Sequence, residues 1–168
     1  MELNSRDFCS RVRQIDRNAE ALCDYLKSSS CNHLITDVLY PKWQNRENYD
    51  LCRSKHPTRG DGGFGGLFTL LFVSPEVAHA FFDALRCAKG ASLGTNFTLA
   101  CPYALYAYWY EADWAKEHGV PQELVRVSAG TEDIAYLMEM FADALRVAEA
   151  CLPSLPPVSS DTGTSCSS

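Results

Sequence analysis

Phe8, Val12, Ile15, Ala19, Leu22 and Leu26 recur at alternating spacings of four and three residues. This single apolar stripe predicts one long helix. Asn4 or Ser5 can cap its start, and Ser28-Ser29-Ser30 ends it. The stripe is shorter than the roughly three to four heptads that mark a coiled coil. Leu34 to Tyr40 then reads as a strand stopped by Pro41, and a short helix is expected near residues 46–53. Leu67–Val73 is a continuous apolar run suited to a buried strand. Ser74-Pro75-Glu76 supplies a helix start: a capping hydroxyl, a proline at the first position and an acid in the first turn. Val77, Phe81 and Leu85 carry that helix to about Arg86. Near the end, Leu124 to Ser128 predicts a strand. Side chains alternate along it, so Val125 and Val127 share one face, and Leu124, Arg126 and Ser128 the other. A turn at Gly130 and an acidic start at Glu132-Asp133 lead into a last helix. That helix buries Ile134, Leu137, Met138, Phe141 and Leu145.

Strands interleaved with helices, without repeated βα units, predict an α+β domain. A chain of 168 residues fits one domain. The formal charge of −6 argues against a nucleic-acid partner, which needs a basic patch. No apolar run approaches the ~20 residues that span a membrane. The polar start, Met1 to Asp7, lacks the features of a signal peptide, so a cytoplasmic location is expected. The eight cysteines form no Cys-x-x-Cys pair and the four histidines no ligand spacing, so no metal site is expected. Reduced, mostly buried thiols and surface histidines are the reading. The glycine-dense segment from Arg59 to Gly66 precedes a strand rather than a helix. It reads as a flexible lead-in and not as a phosphate cradle. Tyr103, Tyr106, Tyr108, Trp109, Tyr110 and Trp114 crowd one stretch and read as core or subunit interface. Residues 152–168, rich in Pro, Ser and Thr, are expected to be a disordered tail.

Arg126 is the residue with the clearest chemistry. On a strand that ends at a cleft, its planar fork can grip a carboxylate through two parallel hydrogen bonds. By itself it reads as a surface or structural ion-pair arginine. Its context changes that reading. Leu124 to Asp133, followed by a long helix, resembles the closing signature of the Cys/Met-metabolism family of pyridoxal-phosphate enzymes, of the form Leu-[Val/Ile]-Arg-x-[Ser/His]-x-Gly-x-Glu-Asp. Ser92-Leu93-Gly94 resembles the family's Ser-Leu-Gly element, and Gly65 to Leu70 its glycine-then-hydrophobic strand. Order and spacing agree over roughly residues 4–150.

The resemblance implies a cystathionine γ-synthase-like chain of the fungal type, with Lys89-Gly90 ahead of the Ser-Leu-Gly element. It implies a small antiparallel-rich sheet covered by helices, like the C-terminal domain of fold-type I transferases. Residues 1–30 would form the linking helix and residues 31–151 the small domain. Arg126 would hold the substrate α-carboxylate, while Ser92 and the backbone of Leu93 would position substrate. The implied reaction is γ-replacement on an activated homoserine by a thiol, in sulfur amino-acid metabolism. The cofactor would be pyridoxal phosphate, bound mainly by an N-terminal domain that this chain does not contain. None of Lys27, Lys42, Lys55, Lys89 and Lys116 stands in the family's Ser-x-[Thr/Ser]-Lys context, so no catalytic or cofactor-binding residue is expected here. Expected partners are an amino-acid substrate and either a large domain or further copies in a homo-oligomer. The alternatives are a truncated non-catalytic paralogue acting as an interaction module, or part of a secondary-metabolism enzyme. The run Thr95-Asn96-Phe97-Thr98 and the later Cys101-Pro102-Tyr103-Ala104 depart from the commoner family pattern, which leaves the substrate open.

Overall fold

The structure, a computed structural model, describes residues 2–56 and 60–152. The expected tail falls almost wholly outside them. In chain order the elements are α1 (Glu2–Ser5), α2 (Phe8–Leu26), a 3₁₀ turn (Ser29–Cys31), β1 (Ile35–Leu39) and α3 (Arg46–Cys52). There follow β2 (Lys55–His56), β3 (Gly60–Asp61), β4 (Leu67–Phe72), α4 (Pro75–Ala84), β5 (Ala88–Lys89) and β6 (Leu99–Cys101). The last are α5 (Tyr103–Ala107), α6 (Ala112–Glu117), β7 (Leu124–Ser128) and α7 (Ile134–Glu149).

A five-stranded sheet runs in the order β1-β4-β7-β6-β5. Its pairings are antiparallel except β5 with β6. This is the antiparallel-rich α+β arrangement expected. In register, Phe68 faces Val127 and Leu70 faces Val125, so one apolar face runs across both central strands. Helices α2, α4 and α7 cover that face and share its core. Four rings interlock there: Phe72 on Phe81 at 4.8 Å, Phe81 on Phe141 at 5.9 Å and Phe68 on Phe141 at 6.4 Å. Each such ring contributes about 1.5–3 kcal/mol by leaving water.

The helix starts follow local chemistry. Ser74 Oγ accepts a hydrogen bond from Val77 N at 3.4 Å, with Pro75 at the first position of α4. Asp133 accepts from Ala135 N at 2.9 Å and Tyr136 N at 3.3 Å to start α7. The long helix starts later than the expected caps Asn4 and Ser5. They belong to α1, and α2 begins after Asp7, whose backbone carbonyl accepts from Ser10 N and Arg11 N.

Only half of the α2 stripe is used. Ala19, Leu22 and Leu26 are fully buried, whereas Phe8 is 57% exposed and Val12 36%. The glycine segment is held in place rather than loose. Gly62 N donates to Ser54 O at 2.8 Å and Gly65 N to Asp16 Oδ1 at 3.0 Å. A Cβ on Gly66 would lie 2.2 Å from Ile15 Cγ2, so the absence of a side chain lets this backbone lie against α2. Among the described cysteines, all are free, but only Cys23, Cys31 and Cys101 are buried. The expectation of mostly buried thiols therefore fails: Cys9 and Cys52 stand on exposed helix positions and Cys151 just beyond α7.

Candidate functional site around Arg126

Arg126 sits at the centre of β7, opposite Thr69 of β4 and Cys101 of β6. Alternation places these three on the face turned away from α2, α4 and α7. The guanidinium is half-buried and anchored twice. Nη2 donates to Ala91 O at 2.5 Å, and the group lies 4.8 Å from the centre of the Tyr103 ring. A cation held over an aromatic face keeps its plane fixed. One edge of the fork is engaged by Ala91. Arginine's remaining donors suit a carboxylate arriving from the open side.

Ser128, two residues further on the same face, holds the other end of the same loop: Gly94 N donates to its Oγ at 3.1 Å. Gly94 has φ +70°, a left-handed conformation in which a side chain would be strained. Two outward residues of β7 thus clamp residues 91 and 94, and the two between them, Ser92 and Leu93, project outward. Both are exposed, Leu93 by 52%. The structure therefore bonds Arg126 to the residue that precedes the exposed pair Ser92 and Leu93.

A buried polar knot fixes the turn after β7. Asn18 of α2 is 1% exposed and donates from Nδ2 to Gly130 O at 3.0 Å and Glu132 O at 2.8 Å. Glu132 accepts from Thr98 N at 2.5 Å and Thr98 Oγ1 at 3.0 Å, and Gly130 N donates to Thr98 Oγ1 at 3.0 Å. A Cβ on Gly130 would sit 2.5 Å from the Phe97 carbonyl carbon, which excludes any larger residue. Asn18, Thr98 and the individual role of Tyr103 have no counterpart in the sequence reading. Asn18 adjoins the apolar stripe with no periodic signal, and its partners are distant in the chain.

Burial raises the Cys101 thiol above its ordinary range, and the Arg126 charge partly counters this. The thiol stays neutral and forms an inert wall beside the guanidinium. The aromatic stretch is not core within this chain. Tyr110 is 96% exposed, and Tyr106, Trp109 and Trp114 are all more than half exposed. Stacking nonetheless orders part of it, through Tyr103–Tyr108, Tyr108–Trp114 and Trp114–His118.

The model of the Cys/Met metabolism PLP-dependent enzyme family matches residues 7–146. The chain belongs to this family. It is 48% identical over 162 residues to a cystathionine gamma-synthase-like enzyme of Amanita muscaria, covering 89% of this chain and 26% of that one. It is 43% identical over 150 residues to the cystathionine gamma-synthase of Neurospora crassa, covering 89% of this chain and 23% of that one. In structure it resembles the cystathionine gamma synthase of Xanthomonas oryzae pv. oryzae, solved in complex with cystathionine. The TM-score is 0.71 at 25% identity, over 88% of this chain and 37% of that one. The chain thus spans about a quarter of the length of the curated relatives it matches.

The family's cofactor is pyridoxal phosphate, and the residues present do not make a site for it. An imine needs an available amine near the reacting centre. Lys27 pairs with Asp37, and Lys42 with Asp24 and Glu20. Lys89 lies close in sequence to Ala91, but its register partner is Ala100, on the helix-covered face, and its ammonium donates to Phe82 O. Burial lowers its pKa without bringing it to Arg126. Lys55 and Lys116 are exposed on β2 and α6. Among the described residues, no cluster could hold a metal ion, and no helix is long and apolar enough to cross a membrane.

Proposed function

We propose that this chain is the C-terminal domain of a cystathionine γ-synthase-like enzyme and that it seats the amino-acid substrate. The observation that carries the reading is the double clamp on β7. Arg126 and Ser128 bond the two ends of the 91–94 loop, so the guanidinium is held to the residue next to the exposed Ser92. In this reading Arg126 takes the α-carboxylate through its planar fork, while Ser92 and the Leu93 backbone fix the rest of the amino acid. Orientation of this kind makes the reacting encounter effectively intramolecular. The reaction is replacement of the γ-substituent of an activated homoserine by a thiol such as cysteine. Pyridoxal phosphate, held elsewhere in the longer protein, supplies the electron sink. Residues 1–30 link the two parts, residues 31–151 form the small domain, and the setting is cytoplasmic.

The test is a chimera in which this chain replaces the matching segment of the Neurospora crassa enzyme. It should form cystathionine from an activated homoserine and cysteine. Retained cofactor absorbance with no turnover would count against the reading. A second reading, an interaction module that pairs with longer relatives, draws support from the exposure of Trp109 and Tyr110. The coding sequence upstream separates the two: an in-frame stretch with the cofactor-lysine motif favours the enzyme, and its absence favours the module.

A further inference from the structure

A cavity of about 430 Å³ opens between α4, α5 and α6, apart from the residues that hold the 91–94 loop. Its volume falls within the range of small-molecule sites, roughly 300–1,000 Å³. Leu105, Tyr108, Trp109, Ala112 and Val120 give it a largely apolar wall, and none of its lining residues carries a fixed charge. His79 of α4 reaches into this lining, where its Nε2 is buried without a hydrogen-bond partner. Buried polar atoms are nearly always satisfied, so this one calls for a partner, an ordered water or a bound molecule. The sequence reading places this histidine at the surface; in the structure it is half-buried and shares the cavity lining with residues of α5 and α6.

We propose that this cavity is a binding site for a flat, neutral aromatic molecule with one hydroxyl group at its edge. The ring lies against Tyr108 and Trp109, and the hydroxyl meets His79 Nε2. A hydroxyl both donates and accepts, so it satisfies either tautomer of the imidazole. A charged ligand is excluded, because the wall offers no counter-ion to offset its desolvation. The site adjoins the Arg126 surface without being part of it: Tyr108 packs edge-on against Tyr103 at 6.1 Å, and Tyr103 carries the guanidinium on its other contact.

The test uses the full chain with ¹⁵N-labelled histidine, titrated with phenol and, separately, with benzene. Phenol should bind saturably and shift the His79 ring-nitrogen resonances. His79→Leu should weaken phenol by about five- to ten-fold, the worth of one buried hydrogen bond, and leave benzene unchanged. Ala112→Phe, at the first residue of α6, should fill the space and abolish both titrations while the melting temperature holds. Absence of saturable binding would overturn the proposal and leave an ordered water as the partner of His79. Equal phenol affinity in wild type and His79→Leu would overturn it as well.

Discussion

On the side of the sheet covered by α2, α4 and α7, Phe68, Leu70, Val125 and Val127 are each at most 1% exposed. On the other side the same two strands carry Thr69 and Arg126, and the neighbouring segment leaves Tyr106, Trp109 and Tyr110 largely in solvent. One pair of strands thus serves two ends. The covered face stabilises through apolar contact that tolerates little change. The open face spends its polar groups on clamping the 91–94 loop. Stability and function should therefore separate by face, and six substitutions at five positions test that separation.

The largest effect is expected on the covered face. Phe141 is fully buried and touches both Phe68 and Phe81. Phe141→Ala should lower unfolding stability by about 3–5 kcal/mol, through lost transfer energy and an unfilled cavity. Tyr110→Ala, at a position 96% exposed, should stay within about 0.5 kcal/mol. Denaturant titration of both variants checks the pair. Similar losses would mean that the aromatic stretch belongs to the core after all.

Arg126→Ala should show the reverse profile. In the chimeric enzyme it should reduce kcat/KM by an amount equivalent to about 2–5 kcal/mol, with cofactor content unchanged. Arg126→Lys should rescue little, because a point charge cannot reproduce a planar fork held over Tyr103. Wild-type turnover in the alanine variant would exclude a carboxylate role.

The same contrast explains what could be read from the chain. Elements carried by long periodic runs were legible: α2, β4, β7 and α7 appear within a few residues of their expected bounds. Alternation in β7 was enough to turn Arg126 away from the valines. The pieces that complete the open face were not legible. Strands β5 and β6 have two and three residues, too few to show a period, and exist because β7 offers β6 an edge. Helices α5 and α6 are little more than one turn each, so nothing local announced that Tyr103 would stack on Arg126. The Asn18 contact joins groups 112 residues apart and leaves no trace in any window of sequence.

Asn18 lies where the two faces meet, since it ties the covering helix α2 to the turn that ends β7. Asn18→Ala removes three hydrogen bonds, one of them accepted from Gln14 Nε2, and leaves the carbonyls of Gly130 and Glu132 facing a void. The expected loss is about 1–3 kcal/mol in denaturant titration. A change within error would mean that water replaces the amide, and that the knot does not couple the helix to the turn.

The smallest effect is expected at Asp16, one turn before the buried end of α2. Its carboxylate accepts from Gly65 N, but burial outweighs that bond and raises its pKa above the usual 3.8, with Glu20 adding repulsion. A raised aspartate pKa means that the folded chain binds the proton more tightly than the unfolded chain. Stability therefore gains as pH falls from the folded pKa to 3.8, and the ionised group is a net cost at neutral pH. Asp16→Asn keeps an oxygen for Gly65 N and removes the charge. It should be slightly more stable than wild type at pH 7, by no more than about 0.5 kcal/mol at this half-exposed position. The advantage should shrink toward pH 4, where the wild-type carboxylate takes up its proton. Paired melting curves across that window decide it. A variant less stable than wild type at pH 7 would show that the Gly65 bond prevails over the burial cost, and that the rim of the covered face accepts a charge as readily as the open face does.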